Sequence, residues 1–413
     1  MSVHQLVCRL QIAVNLCVIT LLSIACTAVE ENCGVTGTTP DEVFAQLGLG
    51  WNLGNHFDSH AEGAATTDYW DLATPTQATF DAVKAAGFSS VRIPVTWMGY
   101  IDNSTDDYII DNEYLALIAS AVDMAHNAGL NVVINMHHDG ADSAYWLSIA
   151  AAAESDANNA AIKLKIEKVW TQIAEYFKDY GQFLVFEAFN EIHDGGWGWG
   201  ANRNDDGRQY AILNEWNQLF VNTVRATGGQ NTMRMLGIPG YCTNPNLTIE
   251  NLVVPTDNYA ENRIMVAVHF YDPTDYVLCN TYGEWGHTAT DKAPWGDEEY
   301  LVETFAKLNE TFVSQGVPVY IGEFGNVNRT TDRAKKFRKY YLEYLCRAAH
   351  KYKLALFFWD NNVAQSGAEC SGMINHSTGE FYNDAEEVIA LMVKAIASDD
   401  ESYTLETVYE SAP

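Results

Sequence analysis

Two glutamates stand at the ends of apolar, β-rich runs, where they could share one reaction. Glu191 comes shortly after the run Phe183–Phe189, and Glu323 comes directly after Val317–Gly322. Cleavage of a glycosidic bond needs such a pair, because one carboxylic acid protonates the leaving oxygen while the other carboxylate attacks the anomeric carbon or activates water. Retention needs about 5 Å between the two carboxyl groups and inversion ~6.5–9.5 Å. The sequence supplies the two groups but not the distance between them.

Eight short β-rich runs alternate with helical patterns along the chain. Most of the runs are almost continuously apolar, which is typical of a parallel sheet buried on both faces. The predicted strands are Leu47–Asn52, Ser90–Val95, Asn131–Met136, Phe183–Phe189, Met233–Gly237, Arg263–Phe270, Val317–Gly322 and Leu354–Trp359. The predicted helices are Thr76–Ala86, Asp111–Ala128, Ala160–Tyr180, Tyr210–Ala226, the short Asn246–Leu252, Asp297–Ser314, Thr331–His350 and Ala385–Ser398.

This alternation is compatible with either a closed barrel or a doubly wound open sheet. A nucleotide-binding open sheet usually has a Gly-rich phosphate loop after its first strand. The chain has Trp51-Asn52-Leu53-Gly54-Asn55 there, which is neither a P-loop nor a dinucleotide fingerprint. No Ser/Pro/Gly-rich linker divides the chain. The sequence therefore predicts an α/β fold, a single-domain (β/α)₈ TIM barrel.

Polar and aromatic residues collect where the predicted strands end. The active site of a (β/α)₈ barrel lies at the C-terminal ends of its strands. A lone His or Arg at a strand end is more often structural, but seven of the eight strands deliver such groups to one rim, and burying them without partners would be costly. The residues are Asn52, Asn55, Arg92, His137, His138, Asp139, Asn190, Glu191, His269, Tyr271, Glu323, Trp359, Asp360 and Asn361.

Seven short motifs contain most of these residues. They are Gly50-Trp51-Asn52-Leu53-Gly54-Asn55, Val91-Arg92-Ile93-Pro94, Asn135-Met136-His137-His138, Phe189-Asn190-Glu191, His269-Phe270-Tyr271, Ile321-Gly322-Glu323-Phe324-Gly325 and Phe358-Trp359-Asp360. In order and spacing they resemble glycoside hydrolase family 5, a family of retaining (β/α)₈ enzymes rich in endoglucanases. The resemblance extends from about Pro40 to about Ala397 and implies the same fold and reaction for this chain.

The resemblance also implies roles for individual residues. Glu191 matches the acid/base and Glu323 the nucleophile of the family. Arg92 matches an arginine that orients the nucleophile, and Tyr271 a tyrosine that hydrogen-bonds it. Because a charged Glu323 disfavours ionisation of a nearby carboxyl group, we expect a raised pKa for Glu191, which would keep it a proton donor.

The remaining candidates are predicted to contact substrate. Asn190 matches the residue that holds the sugar 2-OH, and Trp359 matches the tryptophan beneath the sugar upstream of the cut. His137 and His269 match two histidines around the cleavage subsite. Two further candidates follow strand ends: Asn55 and His138. Trp70, Trp97, Trp146, Trp197 and Trp199 are candidates for the rim of the cleft.

A metal site is the main chemical alternative at these strand ends. Zinc catalysis uses His and carboxylate ligands, and His137, His138, Asp139 and His269 supply both types. Adjacent side chains on a strand point to opposite faces, so His137 and His138 would not easily reach one ion. We therefore predict no metal and no cofactor.

The charge of the chain restricts its partners. It has 54 acidic and 24 basic residues, a formal net charge of −30, which repels nucleic acid, anionic lipid and acidic polysaccharides. We expect a monomer that acts on a neutral plant cell-wall polysaccharide, namely a β-1,4-glucan such as cellulose, mixed-linkage glucan or xyloglucan. Endo-β-1,4-mannanase activity is the alternative, followed by a sugar-binding barrel without catalysis.

The N-terminal segment predicts how the chain is processed. Arg9, the apolar run Leu10–Ala25 and the small residues up to Ala28 are typical of a cleaved signal peptide over residues 1–28. This predicts secretion and no stable membrane insertion afterwards; a retained anchor is the alternative. We assign residues 29–400 to the catalytic domain and 401–413 to an acidic tail. The pairing of Cys33, Cys242, Cys279, Cys346 and Cys370 stays open.

Overall fold

The computed structural model describes residues 39–61, 64–66, 70–71 and 73–413. The expected signal peptide 1–28 and Cys33 lie outside the described residues. Within the described ranges, no helix has the length and apolar character needed to cross a membrane. The other four cysteines of the expected mature chain, at positions 242, 279, 346 and 370, are free thiols.

Eight parallel strands form a closed barrel, as predicted. Each strand pairs with the next along the chain, and the last pairs with the first, for example Phe358 with Trp51. The strands are β1 (Leu49–Leu53), β2 (Ser90–Ile93), β3 (Asn131–Asn135), β4 (Leu184–Glu187), β5 (Leu236–Pro239), β6 (Ile264–Phe270), β7 (Val319–Phe324) and β8 (Ala355–Asp360). A small antiparallel hairpin joins His60–Ala61 to Ala64–Ala65 in the loop after β1.

Helices connect the strands. Several begin at a side-chain cap: Asp111, Asp297 and Thr331 each accept a hydrogen bond from a backbone N–H in the first helical turn, which satisfies a donor that the helix itself leaves free. The helices are α1 (Pro40–Ala45), α2 (Gln77–Ala85), α3 (Asn112–Asn127), α4 (Ile149–Glu154), α5 (Asp156–Tyr176), α6 (Arg208–Ala226), α7 (Pro245–Asn251), α8 (Thr274–Val277), α9 (Glu298–Thr311), α10 (Asp332–Tyr352), α11 (Ala385–Ala397) and α12 (Leu405–Glu410).

Two strand glycines make room for aromatic rings next to the strands. A Cβ on Gly50 would lie 2.2 Å from the Phe357 ring, and one on Gly237 would lie 2.2 Å from the Tyr320 hydroxyl. Real Cβ atoms do not approach so closely, so any larger residue would displace these rings. Tyr320 can therefore extend from β7 to a carboxylate on β4, that of Glu187.

The predicted strands all overlap observed ones, and the short helix predicted before β6 is confirmed as α7. The fifth strand begins three residues later than predicted. Met233 is 44% exposed, and Arg234 is buried outside the strand, where it donates hydrogen bonds to main-chain carbonyls. The segment 401–413 contains α12, whose Val408 is buried.

Candidate active site

The two glutamates lie together at the C-terminal end of the barrel. Glu323 is in β7, and Glu191 is four residues beyond the end of β4. A carboxylate oxygen of one lies within 4.8 Å of a carboxylate oxygen of the other. This separation falls near the ~5 Å typical of retaining glycosidases and below the ~6.5–9.5 Å of inverting ones.

A register shift brings His269 between these carboxylates. The pairing of β6 with β7 passes from Val268 opposite Ile321 to His269 opposite Glu323, so Gly322 is an extra residue in β7. Such bulges re-aim side chains near active sites. His269 Nδ1 lies 2.7 Å from Glu191 Oε1 and 3.5 Å from Glu323 Oε2.

Glu323 is held by two further donors. Arg92 Nη1 donates to its Oε1 at 2.8 Å, and the Tyr271 hydroxyl donates to its Oε2 at 3.0 Å. Only 7% of the Glu323 side chain is exposed. Glu191 is more open, at 20%, and faces the cleft with Thr243 nearby. One carboxylate is therefore fixed from below, while the other is accessible.

The pKa values of the pair differ from the expectation. Burial raises the pKa of Glu191, but the hydrogen bond and charge of His269 outweigh burial, so the pKa is lowered overall. Burial raises the pKa of Glu323, and the charges of His269 and Arg92 offset it only in part. The expected raised pKa of Glu191 is therefore wrong for this arrangement, because His269 lies closer to Glu191 than to Glu323.

Arg92 connects several parts of the site. It is fully buried and also donates to Asn52 Oδ1 at 3.0 Å and to Asn190 Oδ1 at 2.8 Å. Its Nε and Nη2 contact the carboxylate of Glu187, in β4. Sequence reasoning did not identify Glu187. The sequence feature that could have identified it is a single charged residue in an otherwise apolar predicted strand, because a buried charge requires a partner.

The proton position on His137 follows from its neighbour Asn135. Asn135 Oδ1 accepts from the backbone N–H of Val95, so its Nδ2 faces Glu187 Oε1 at 2.8 Å and His137 Nδ1 at 3.0 Å. His137 Nδ1 must then accept, and its Nε2 carries the proton. That Nε2 lies 3.8 Å from Glu323 Oε1.

His137 and His138 do not point to opposite faces as expected. β3 ends at Asn135, and the chain turns so that the two imidazole rings meet with centroids 4.4 Å apart. With Asp58 they form a group whose ligand atoms lie within 4.8 Å of one another. A metal ion there would compete with the proton and the hydrogen bond that already occupy the two nitrogens of His137. Burial lowers the pKa of His138 to about 3 and raises that of Asp58 to about 7.

Nine of the ten site residues predicted from the sequence line one cleft, with a volume of about 1340 Å³, and the tenth, Arg92, lies beneath it. The Trp359 ring lies nearly parallel to that of His137, with centroids 5.9 Å apart. Gly54 permits this, because a Cβ there would lie 2.8 Å from Trp359. The nine lining residues are Asn55, His137, His138, Asn190, Glu191, His269, Tyr271, Glu323 and Trp359.

The loop after Glu191 presents two tryptophans to the cleft. Trp197 is 56% exposed and Trp199 80%, and the Arg203 guanidinium stacks 4.5 Å from the Trp199 ring. Asp194 closes the loop by accepting from the backbone N–H groups of Gly196 and Asn202. The rim assignment of Trp97 is wrong, since Trp97 is fully buried and donates to Asn135 O.

Comparisons with known proteins show what the chain is similar to. Residues 54–365 match the model of the family described as Cellulase (glycosyl hydrolase family 5). The chain is 38% identical over 341 residues to Endoglucanase A of Paenibacillus barcinonensis, covering 78% of this chain and 82% of that protein. It is 32% identical over 383 residues to a xyloglucan-specific endo-beta-1,4-glucanase of Bacteroides ovatus, covering 89% and 72%. A solved broad-specificity endoglucanase from Bacteroides salanitronis superposes with a TM-score of 0.85 at 54% identity, covering 88% and 97%.

Proposed function

The chain belongs to glycosyl hydrolase family 5 and is an endoglucanase-type glycoside hydrolase. We propose that it cleaves neutral β-1,4-glucan chains internally by double displacement. In this proposal Glu191 is the acid/base and Glu323 is the nucleophile. The observation that carries the proposal is the approach of the two carboxylates to within 4.8 Å. Carboxyl groups about 5 Å apart are typical of retaining enzymes, whereas inverting enzymes hold them ~6.5–9.5 Å apart to accommodate a water.

In the first step, Glu323 attacks the anomeric carbon. A bond forms between a Glu323 oxygen and that carbon, the bond to the leaving oxygen breaks, and Glu191 transfers its proton to the leaving oxygen. In the second step, water attacks the same carbon and releases Glu323, while Glu191 takes a proton from the water. Each carboxylate returns to its starting state.

The contacts of the two groups support this division of roles. Glu323 receives hydrogen bonds from Arg92 and Tyr271, and donors of this kind stabilise the carboxylate against the rise in pKa that burial causes. Glu191 is the group that is open to the cleft. A glycosidic oxygen carries no proton, so when bound against Glu191 it can accept a hydrogen bond only from the protonated carboxyl group. Substrate binding thereby favours the protonated form that the first step needs.

Two fixed donors suit the sugar at the point of cleavage. Asn190 Oδ1 is occupied by Arg92, so its Nδ2 is left to donate to a sugar hydroxyl. His137, which also lines the cleft, carries its proton on Nε2. Trp359 supplies a flat apolar surface for one face of the ring. We propose that Asn55 and His138, which line the same cleft, contact the substrate farther from the cut.

Trp197 and Trp199 extend the cleft on the side of Glu191. Because the acid/base lies next to the leaving oxygen, this is the side on which the leaving part of the polymer would lie. Flat aromatic rings suit the apolar faces of glucosyl units. The net charge of −30 favours a neutral polymer. Cellulose, mixed-linkage glucan and xyloglucan are the proposed substrates, and the names of the relatives above support glucan over mannan.

The location, oligomeric state and domain bounds of the enzyme are also proposals. We propose secretion after removal of residues 1–28, action as a monomer, and a catalytic domain that ends near residue 400. A large extracellular polymer as substrate supports an enzyme that works outside the cell. N-terminal sequencing of the secreted protein and its mass by light scattering test these points.

A mechanism-based label tests the nucleophile. A 2-deoxy-2-fluoro-β-cellobioside with an activated leaving group slows both steps, and it slows hydrolysis of the glycosyl-enzyme enough to trap it. We expect mass spectrometry of the digested protein to find one cellobiosyl group on the peptide that contains Glu323. A label on another carboxylate would contradict the assignment.

A substrate panel tests the polymer. We expect carboxymethylcellulose, barley glucan or xyloglucan to be cut into oligosaccharides of mixed length and mannan to be cut much more slowly. Faster cleavage of mannan than of every glucan would contradict the proposal. Binding without release of reducing ends would favour a sugar-binding barrel.

A further inference from the structure

Glu187 is a buried carboxylate with a full set of partners and no contact with the cleft. It is 1% exposed. Arg92 donates to it from Nε at 3.0 Å and from Nη2 at 2.7 Å. Asn135 Nδ2 and the Tyr320 hydroxyl donate to it at 2.8 and 2.7 Å. Burying this charge is costly without partners, yet four donor atoms from three strands converge on it.

Two of these partners also hold groups that face the substrate. Arg92 donates to Glu323 Oε1 and to Asn190 Oδ1. Asn135 donates to His137 Nδ1 and so fixes the proton on Nε2. Glu187 is therefore connected through Arg92 to Glu323 and Asn190. It is connected through Asn135 to His137.

We propose that Glu187 is a positioning residue that shares the positive charge of Arg92 with Glu323 and holds Glu323, Asn190 and His137 in their working geometry. This inference rests on the proposed role of Glu323. It adds a residue that does not touch substrate but determines how strongly Arg92 neutralises the nucleophile.

The sign of the effect follows from the charges. In Glu187→Gln, the charge of Arg92 is balanced by Glu323 alone, so the pKa of Glu323 falls. The carboxylate is then more stable and a weaker nucleophile. The other titratable groups that face Glu323 keep their charges in this variant: His137, Glu191, His269, Tyr271 and Asp58.

The test is the pH dependence of kcat/KM for three proteins: the wild type, Glu187→Gln and Glu187→Asp. We expect Glu187→Gln to move the acidic limb to lower pH by about one unit or more and to lower kcat about 100-fold with little change in KM. Glu187→Asp keeps the charge, so its acidic limb should stay near that of the wild type although kcat falls. An acidic limb that stays in place or rises in a folded Glu187→Gln protein overturns the proposal.

A matched control separates charge sharing from stability. Asp257 forms a buried pair with Arg225, at 2.7 Å, at the opposite end of the barrel. We expect Asp257→Asn to lower the melting temperature and leave the pH profile unchanged. A shift of the acidic limb in this variant equal to that of Glu187→Gln would also overturn the proposal.

If Glu187→Gln does not fold, a milder variant still tests the proposal. Tyr320→Phe removes one donor from Glu187, which leaves the negative charge of Glu187 less well compensated and should move the acidic limb slightly to higher pH. An unchanged acidic limb in Tyr320→Phe, together with an unchanged kcat in Glu187→Asp, would contradict the inference. The fluoroglycoside label keeps the two proposals distinct, because it reports on Glu323 whatever the role of Glu187.

Discussion

Two fully buried arginines lie at opposite ends of the barrel and have different partners. Arg92, in β2, contacts side chains at the C-terminal end, including the carboxylates of Glu187 and Glu323. Arg234, just before β5, donates to Asn231 Oδ1 and to four main-chain carbonyls at the N-terminal end. The carbonyls are those of Phe177, Tyr180, Gly181 and Leu184.

The pKa values reflect this difference. Burial, and then the charge of Arg225, lower the pKa of Arg234 to about 9. Burial also lowers the pKa of Arg92, but the charges of Glu187 and Glu323 more than offset it, and the pKa is raised overall. Arg234 therefore ties α5, β4 and β5 together through the backbone, whereas Arg92 fixes the side chains that would react. The first arrangement contributes stability, and the second contributes geometry.

The largest expected effect is on activity at the C-terminal end. We expect Glu323→Gln and Glu191→Gln each to lower kcat about 10³-fold or more, because each removes a group that forms or breaks bonds. Melting temperatures should stay close to that of the wild type. Near-normal turnover of barley glucan by either folded variant would contradict the assignment.

Arg234→Met should lower stability and leave activity unchanged. It leaves buried carbonyls without donors, and we expect a loss of about 3 kcal/mol in the free energy of unfolding. Activity per folded molecule should be unchanged, because no site residue contacts Arg234. Urea denaturation and active-site titration with the fluoroglycoside measure the two quantities. Loss of kcat without loss of stability would break the comparison.

A third buried cation should make stability depend on pH. His376 Nδ1 lies 2.7 Å from Asp71 Oδ2, and Nε2 lies 3.4 Å from Asp360 Oδ1. Burial lowers the pKa of His376, but these two carboxylates raise it from 6.5 to about 9. Because the folded pKa is the higher one, the stabilisation is fully present below pH 6.5 and is lost as pH rises through 9, a change of about 3 kcal/mol. His376→Gln should show a flatter profile over that range in thermal unfolding.

Trp199→Ala should have the smallest effect, confined to long substrates. The side chain is 80% exposed, so its removal should not change stability. We expect about a tenfold lower kcat/KM on cellohexaose, from lost apolar contact, and no change on a short aryl cellobioside. Tyr409→Ala, an exposed aromatic outside the cleft, is the control. Equal losses on both substrates would argue against a role in binding the leaving part.

The sequence predicted the barrel well because its strands are short apolar runs in regular alternation. It also predicted Glu191 and Glu323, since both follow such runs within specific motifs. It missed Glu187, which is the last residue of β4 and makes its contacts with β2, β3 and β7. Those contacts depend on the closure of the barrel, which no local pattern describes.

Two predictions about the site are wrong for structural reasons. His137 and His138 face each other because β3 ends two residues earlier than His137, so the alternation of a strand no longer applies. The pKa expectation considered only the two glutamates. It omitted His269, whose place beside Glu191 depends on the extra residue at Gly322. Register shifts of this kind are set by the assembled sheet.

The stereochemistry of the first product tests the central claim most directly. The two carboxylates approach within 4.8 Å, and this spacing predicts double displacement. Proton NMR during cleavage of cellohexaose should show the β-anomer of the new reducing end first, with the α-anomer appearing only through mutarotation. Initial release of the α-anomer would contradict the account.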